Sequence, residues 1–292
     1  MTRPLATLLV SLTCAMMACG RRGDVGDAER PASPPQRIVA ASLLATEVLI
    51  EIAPHARLAG VHELTADPRF SLIVDAVKDL RKVGAEPEQL LAVRPDLVIL
   101  DAFTRPETVA LLQGAGVPLL RTQAPASLDD IAANIRRIGH ACHLDVEAEG
   151  LVSRMMTRAA EVRAAGGELA PWRVCSLDGA LHTYGQGSLF DAMLVLVGAR
   201  DLAAERGAGP FRKLDVETVL AWRPDALIIA AAPGHEDREL QWLEQQPGLA
   251  LLPCVRNHRV LFVPGALLAS TSQHFVELAA FVQKGLLQWG KP

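Results

Sequence analysis

Aromatic residues make up only 4% of this 292-residue chain, and Tyr184 is its single tyrosine. That scarcity argues against a binding site that stacks several rings on one ligand. Basic clusters are also missing. The formal charge is −4 and no Lys/Arg-rich run occurs, so the chain lacks the electrostatic footprint of a nucleic-acid binder. Cysteines are few: Cys14, Cys19, Cys142, Cys175 and Cys254. The last three lie too far apart for a zinc knuckle, and their odd number is no disulfide framework. One bridge or three buried thiols both remain open. No Gly-x-Ser-x-Gly elbow and no His-Glu-x-x-His pair is present, which removes the two commonest hydrolase signatures. What the chain does have is a core: half its residues are hydrophobic and 21% are charged. Its length accommodates two domains of about 100–200 residues each.

The first nineteen residues read MTRPLATLLVSLTCAMMAC. Arg3 precedes an apolar run from Leu5 to Met17, too short to span a bilayer, and the pattern predicts an export signal over 1–19. Ala18-Cys19 at its end resembles a bacterial lipobox, with Met16 where Leu is usual. Lipidation of Cys19 follows from that reading; ordinary cleavage nearby is the alternative. Residues 20–36, polar and rich in Gly and Pro, read as a flexible tether.

From Arg37 onward short apolar runs alternate with amphipathic ones. Arg37–Ser42, Leu58–His62, Leu97–Leu100 and Pro118–Thr122 read as strands, with helices over Thr46–Ala53, Pro87–Val93, Pro106–Ala115 and Leu128–Cys142. A second series has strands at Arg173–Asp178, Ala226–Ala230 and Arg259–Pro264, and helices at Leu189–Val197, Val216–Trp222, Glu239–Gln245 and Gln273–Gln288. Such alternation predicts α/β architecture with parallel sheets covered by helices. Between the series, Ala148, Leu151, Val152, Met155, Ala159 and Val162 repeat at helical spacing until Gly166-Gly167. About twenty residues make a rod roughly 30 Å long. The reading is an N-terminal lobe over 37–145, a backbone helix over 146–169 and a C-terminal lobe over 170–292.

One frame occurs twice. LLAVRPDLVIL and VLAWRPDALII place Arg94 and Arg223 129 positions apart, each six residues after a glutamate, Glu88 and Glu217. The Pro is expected to end each helix and the Asp to turn the chain into the sheet.

These stretches, with RIVAASLLATEVLIEIAPHARLAGVH and YGQGSLFDAMLVLVGARDLAAE, resemble the substrate-binding proteins of ABC importers. More narrowly, they resemble the helical-backbone group that carries ferric siderophores, cobalamin or haem. Leu43 departs from that pattern by replacing the usual Pro. The resemblance implies two Rossmann-like lobes with central parallel sheets, joined by one long α-helix, and a ligand cleft between them. It implies a monomer outside the cytoplasm, anchored through Cys19, that delivers a metal chelate to a permease and its ATPase. No intrinsic cofactor is implied. Glu88 and Glu217 match the family's paired docking acids, which meet arginines on the permease; capping of their own helices is the bland alternative.

Loops at strand C-terminal ends supply the cleft residues: Ser42, Thr46, His62, Phe103, Arg105, His182, Tyr184, His235 and His274. Arg105 could pair with an anionic group; Tyr184 or a cleft His could ligate iron or cobalt. His140 and His143, spaced i,i+3, suggest a metal site but end a peripheral helix without a third ligand. Ser127 with Asp130, and Ser188 with Asp191, read as helix N-cap boxes. Few aromatics and modest basic content place a corrinoid first as cargo, a ferric siderophore second and haem third. A two-lobed exported enzyme, such as a chelatase or hydrolase, is the competing class.

Overall fold

The computed structural model describes residues 30–232 and 234–292. The export signal, Cys19 and most of the tether fall outside the described residues, as does Pro233. The first lobe runs β1 (Ile38–Ala40), α1 (Leu43–Ile52), β2 (Leu58–His62), β3 (Lys82–Val83), α2 (Pro87–Ala92), β4 (Leu97–Leu100), α3 (Pro106–Gly114), β5 (Leu119–Arg121) and α4 (Leu128–Cys142). Its five strands are parallel, in the order β3-β2-β1-β4-β5. Every residue of β1 and β4 is buried, because helices cover both sheet faces and leave no polar side to alternate with.

After α5 (Asp145–Ala165) the second lobe follows: β6 (Arg173–Ser176), β7 (His182–Thr183), α6 (Leu189–Val197), β8 (Arg200–Asp201), α7 (Leu202–Glu205), β9 (Arg212–Lys213) and α8 (Val216–Trp222). It ends with β10 (Ala226–Ala231), α9 (Glu236–Gln245), α10 (Pro253–Arg256), β11 (Val260–Pro264), α11 (Gly265–Leu268) and α12 (Phe275–Leu287). Four parallel strands lie in the order β11-β10-β6-β8, and β7 pairs antiparallel with β9. The expected α/β architecture of two parallel sheets is therefore present. Ser127 and Ser188 cap α4 and α6 as their sequence boxes predict.

Helix α5 buries the six residues whose periodicity marked it: Ala148, Leu151, Val152, Met155, Ala159 and Val162. It packs on α1 and α4 of the first lobe and on α6 and α12 of the second. One apolar core consequently runs through both lobes, from Ile38 and Leu49 through Met155 to Phe275 and Leu286. At its C-terminal end the chain passes hard against the end of α6. A Cβ on Gly166 would lie 2.3 Å from the Val197 carbonyl oxygen. Gly198, at φ +83, meets the Gly166 carbonyl at 2.8 Å in the same way.

The two Arg-Pro-Asp frames form matched joints, but not with the expected division of labour. The residue that turns the chain is the arginine: Arg94 has φ 49 and Arg223 φ 51. The following proline bars the right-handed helical region to its predecessor, so the helix ends there in the left-handed region instead. The aspartate is a staple. Asp96 accepts from the backbone N–H groups of Gln36 (2.7 Å) and Arg37 (2.9 Å), which lead into β1. Asp225 accepts from the Arg173 backbone N–H at 3.0 Å and from its guanidinium at 2.9 Å, at the start of β6.

Cys142, Cys175 and Cys254 are all buried free thiols, which settles the bridge question for the described residues. Burial pushes the first two up to about 12 and Cys254 up to about 11, so they stay protonated and unreactive. A less comfortable buried group is Asp201, 4% exposed. Its Oδ1 caps α7 by accepting from Ala203 N–H at 2.9 Å, while Oδ2 is buried without a partner. Burial pushes this carboxyl up to about 7. Ionised Asp201 therefore weakens the fold increasingly as pH rises from the ordinary carboxylate range through about 7. Asp201→Asn, which keeps the capping oxygen, is expected to stabilise by about 2 kcal/mol more at pH ~8 than at pH ~5, the gain vanishing only near pH ~3. Urea melts at the two pH values measure this; equal effects at both would refute it.

Candidate functional site

A cavity of about 290 Å3 opens where the strands of the first lobe end, the position at which open parallel sheets bind ligands. Ser42, Leu43 and Leu44 at the start of α1 form one wall, with His62 at the end of β2 and Leu64 after it. Asp101, Ala102 and Phe103 follow β4, and Thr122–Pro125 follow β5. Ala269 and Thr271 close it from the second lobe, so the cavity lies in the cleft between lobes. Two larger hollows lie elsewhere: about 430 Å3 beside the Arg136–Glu149 ion pair, and about 490 Å3 at the base of the second sheet. Size does not select the site; placement at strand ends, shared by both lobes, does.

The walls are held from behind. Arg121 donates to the carbonyls of Asp101 (3.2 Å) and Thr104 (3.3 Å), fixing the loop that presents Phe103. Asp101 Oδ1 accepts from Phe103 N–H at 2.8 Å and Thr104 Oγ1 at 3.0 Å. Buried Asn134 holds Gln123 at both backbone groups, at 3.0 and 2.8 Å. Phe103 itself is 81% exposed at the mouth. Among the described residues no lysine or arginine lines the cavity, and Asp101 is its one carboxylate.

His62 is neutral in this setting, because burial pushes its imidazole down. Its Nδ1 accepts from Leu64 N–H at 3.2 Å, which leaves the ring proton on Nε2. The ring can therefore donate a hydrogen bond through Nε2, and would have to give up the Leu64 bond and change tautomer to ligate a metal there.

Of the nine residues expected in the cleft, Ser42, His62 and Phe103 line this cavity. Thr46 does not. Helix α1 starts three residues earlier than the sequence suggests, with Ser42 as its N-cap, so Thr46 is fully buried and donates to the Ser42 carbonyl at 2.9 Å. Arg105 is drawn aside by Glu86 at 3.1 Å. His274 sits at the N-terminus of α12, behind the cavity wall and close to Glu47. His235 is the N-cap residue of α9. His182 is paired with Asp178 at 3.0 Å and stacks on Phe211, with ring centroids 4.8 Å apart. Tyr184 packs on the same phenylalanine at 5.6 Å. These three rings form a group beyond the C-terminal end of β6, and burial pushes the Tyr184 phenol up, so it stays protonated.

Sequence reasoning missed Asp101, Thr122–Pro125 and Phe211. The loop after the Pro118–Thr122 strand followed from the same strand-end rule and was available. Phe211 carries no such signal, since it reaches the group through the β7–β9 pairing. His140 and His143 are engaged by Arg30, and His140 also by Asp145 at 2.9 Å. Among the described residues no three His, Cys, Asp or Glu converge on a metal position.

Glu88 and Glu217 stand in the first turns of α2 and α8, both exposed. Capping of α8 is done by Asp215, which accepts from Thr218 N–H at 2.7 Å. Neither glutamate has a hydrogen bond or ion pair among the described residues.

Known proteins resemble this chain in sequence or in fold. An ABC transporter substrate-binding lipoprotein of Bacillus subtilis, YvrC, is 21% identical over 252 residues, 83% of this chain and 77% of its own. A cobalamin-binding protein of Halobacterium salinarum is 22% identical over 70% of this chain; the match spans 56% of that longer protein. Among solved structures, the periplasmic heme-binding protein RhuT of Roseiflexus superposes with a TM-score of 0.78 at 25% identity, covering 88% of this chain and 99% of its own. The vitamin B12-binding protein BtuF of Vibrio cholerae gives 0.70 at 22% identity, covering 89% and 99%. These are binding proteins, and the enzyme reading finds no support among them. The family model described as periplasmic binding protein matches residues 38–267, and the chain belongs to that family.

Proposed function

We propose that this protein captures a corrinoid such as cobalamin in its inter-lobe cleft and delivers it to an ABC permease and its ATPase. Cys19 would hold it to the membrane by a lipid anchor outside the cytoplasm. The observation that carries the choice of cargo is the cavity wall. Among the described residues it offers neutral donors and acceptors, apolar contacts and one carboxylate, with no cation. A corrin ring is rimmed with neutral amides, which pair with His62 Nε2–H, Ser42 and Gln123 without needing a counter-charge. The cavity of about 290 Å3 takes one edge of the ligand, and the macrocycle face lies against exposed Phe103.

Haem is the second reading, favoured by the fold shared with RhuT. Its two propionates would meet no lysine or arginine in the cavity. Its iron would find a protonated phenol on Tyr184, and His62 with Nδ1 already accepting. A catecholate siderophore is more anionic still. Calorimetric titration discriminates the three. Cyanocobalamin is expected to bind with Kd of about 1 μM or tighter, and hemin and a ferric tris-catecholate at least ~10-fold more weakly. Tighter binding of hemin would overturn the corrinoid assignment. Calorimetry is preferable to fluorescence quenching, because none of the four tryptophans lines the cavity.

A further inference from the structure

Behind the cavity lies a carboxylate that the binding site does not use. Glu47, on α1 of the first lobe, is 2% exposed and faces the second lobe. Its Oε2 accepts from Ser272 Oγ at 2.5 Å and Ser270 Oγ at 3.4 Å. Gln273 Nε2 donates to the Glu47 backbone carbonyl at 2.9 Å. All three partners belong to the segment between α11 and α12, more than 220 positions away in the chain. They too are buried. That segment alternates: Ala269 and Thr271 face the ligand cavity, while Ser270 and Ser272 face Glu47.

We infer that Glu47 is a positioning residue that latches the two lobes together and couples their closure, and hence ligand binding, to proton uptake. The reasoning is one of solvation. With the lobes in contact the carboxylate has lost its water, and no lysine or arginine compensates for it. Desolvation outweighs the Ser272 and Ser270 hydrogen bonds and the nearby His274, and pushes the carboxyl up. The charged groups on neighbouring elements are engaged elsewhere. Arg154 of α5 pairs with Glu51, Arg136 of α4 with Glu149, and Glu277 of α12 with Arg158. Arg137 of α4 donates to the Arg121 carbonyl, and His62 at the end of β2 accepts from Leu64. When the lobes separate, Glu47 regains water and its ordinary acidity. The closed form thus binds the proton more tightly than the open one. Closure is fully favoured below the ordinary carboxylate range and weakens as pH rises through the raised value. Each unit between the two values corresponds to about a tenfold change in the closure equilibrium.

The coupling to ligand rests on the cleft being the binding site; the latch itself can be tested without ligand. Nitroxides placed at Glu107→Cys on α3 and Lys213→Cys on β9, both exposed, report the distance between lobes by electron double resonance. Cys14 and Cys19 are replaced by Ser, and the three remaining thiols are buried. The distance distribution should be narrow at pH ~5 and shift to longer, broader values at pH ~8. Glu47→Gln, neutral at both, should hold the narrow distribution throughout. Ser272→Ala keeps the carboxylate and removes its nearest donor, and should enlarge the shift at the higher pH. If Glu47→Gln fails to fold, this second variant still decides. A distribution that ignores pH in the native protein, or that shifts equally in Glu47→Gln, overturns the latch. Cyanocobalamin calorimetry in two buffers of different ionisation enthalpy is run in parallel. Proton uptake on binding supports the coupling, and binding without it refutes the coupling. Absence of binding refutes the corrinoid assignment and leaves the distances to judge the latch.

Discussion

Combining Glu88→Arg with Glu217→Arg is expected to lower uptake into cells at least ~100-fold while leaving cyanocobalamin affinity within about twofold of the native value. The proposal behind this is that the two acids are read as a pair by arginines on the permease. Each carboxylate stands in the first turn of a helix, exposed and without a partner among the described residues. The helix N-terminus favours the negative charge there, and an exposed carboxylate can take a guanidinium bidentately. Reversal replaces two attractions by two like-charge contacts at the same positions, which is why the effect should exceed that of neutral variants. Neither residue lines the cavity, so ligand affinity provides the internal control. Uptake at the native rate by the double variant would remove the docking assignment. Loss of uptake with loss of affinity would mean that the substitutions had damaged the fold instead.

The largest effect on stability is expected at Gly166. Gly166→Ala puts a methyl group 2.3 Å from the Val197 carbonyl oxygen and 2.9 Å from its carbon. Both obstacles are backbone, which cannot rotate away as a side chain would. Val197 closes α6 and Gly198 continues in the left-handed region, so moving the carbonyl disturbs the cap of that helix as well. The cost should be about 3 kcal/mol, the upper part of the range for forced overpacking. In a chain of this size that corresponds to a fall in Tm of roughly 6–12 °C. Gly167→Ala, next in sequence, meets nothing within 4 Å and should be nearly silent. Melting curves of the two variants side by side make the comparison; similar melting points would disprove the backbone crossing.

Much of the architecture was legible because it rests on periodicity. The six buried residues of α5 stand out in the sequence by spacing alone, and the parallel sheets follow from alternating strand and helix patterns. What spacing cannot show is which of several polar groups at one joint does which work. The Asp in each Arg-Pro-Asp frame looks like the turn residue by composition, yet the steric demand of Pro95 and Pro224 assigns the left-handed conformation to the arginines. The candidate site was legible only in part. Strand ends point to Ser42, His62 and Phe103, which line the cavity. Thr46 lies off the cavity because α1 begins at Leu43, three residues before it, which turns an expected loop residue into a buried helical one; His274, half-buried, immediately precedes α12. Arg105 is turned from the cavity by Glu86, nineteen positions earlier, a distance over which no local pattern speaks.

Because one apolar core passes from Ile38 through α5 to Leu286, neither lobe owns a complete interior. Cutting the chain at either end of α5 would expose apolar surface that the other lobe and the helix cover, so the lobes are not interchangeable modules. A chimera that takes its first lobe from one relative and its second from another inherits two unmatched halves of a single packing problem. Altering cargo preference by exchanging lobes should therefore fail at the folding step. Transplanting the loops beyond the strand ends, which leave that interior untouched, is the route by which a chain of this kind can change what it carries.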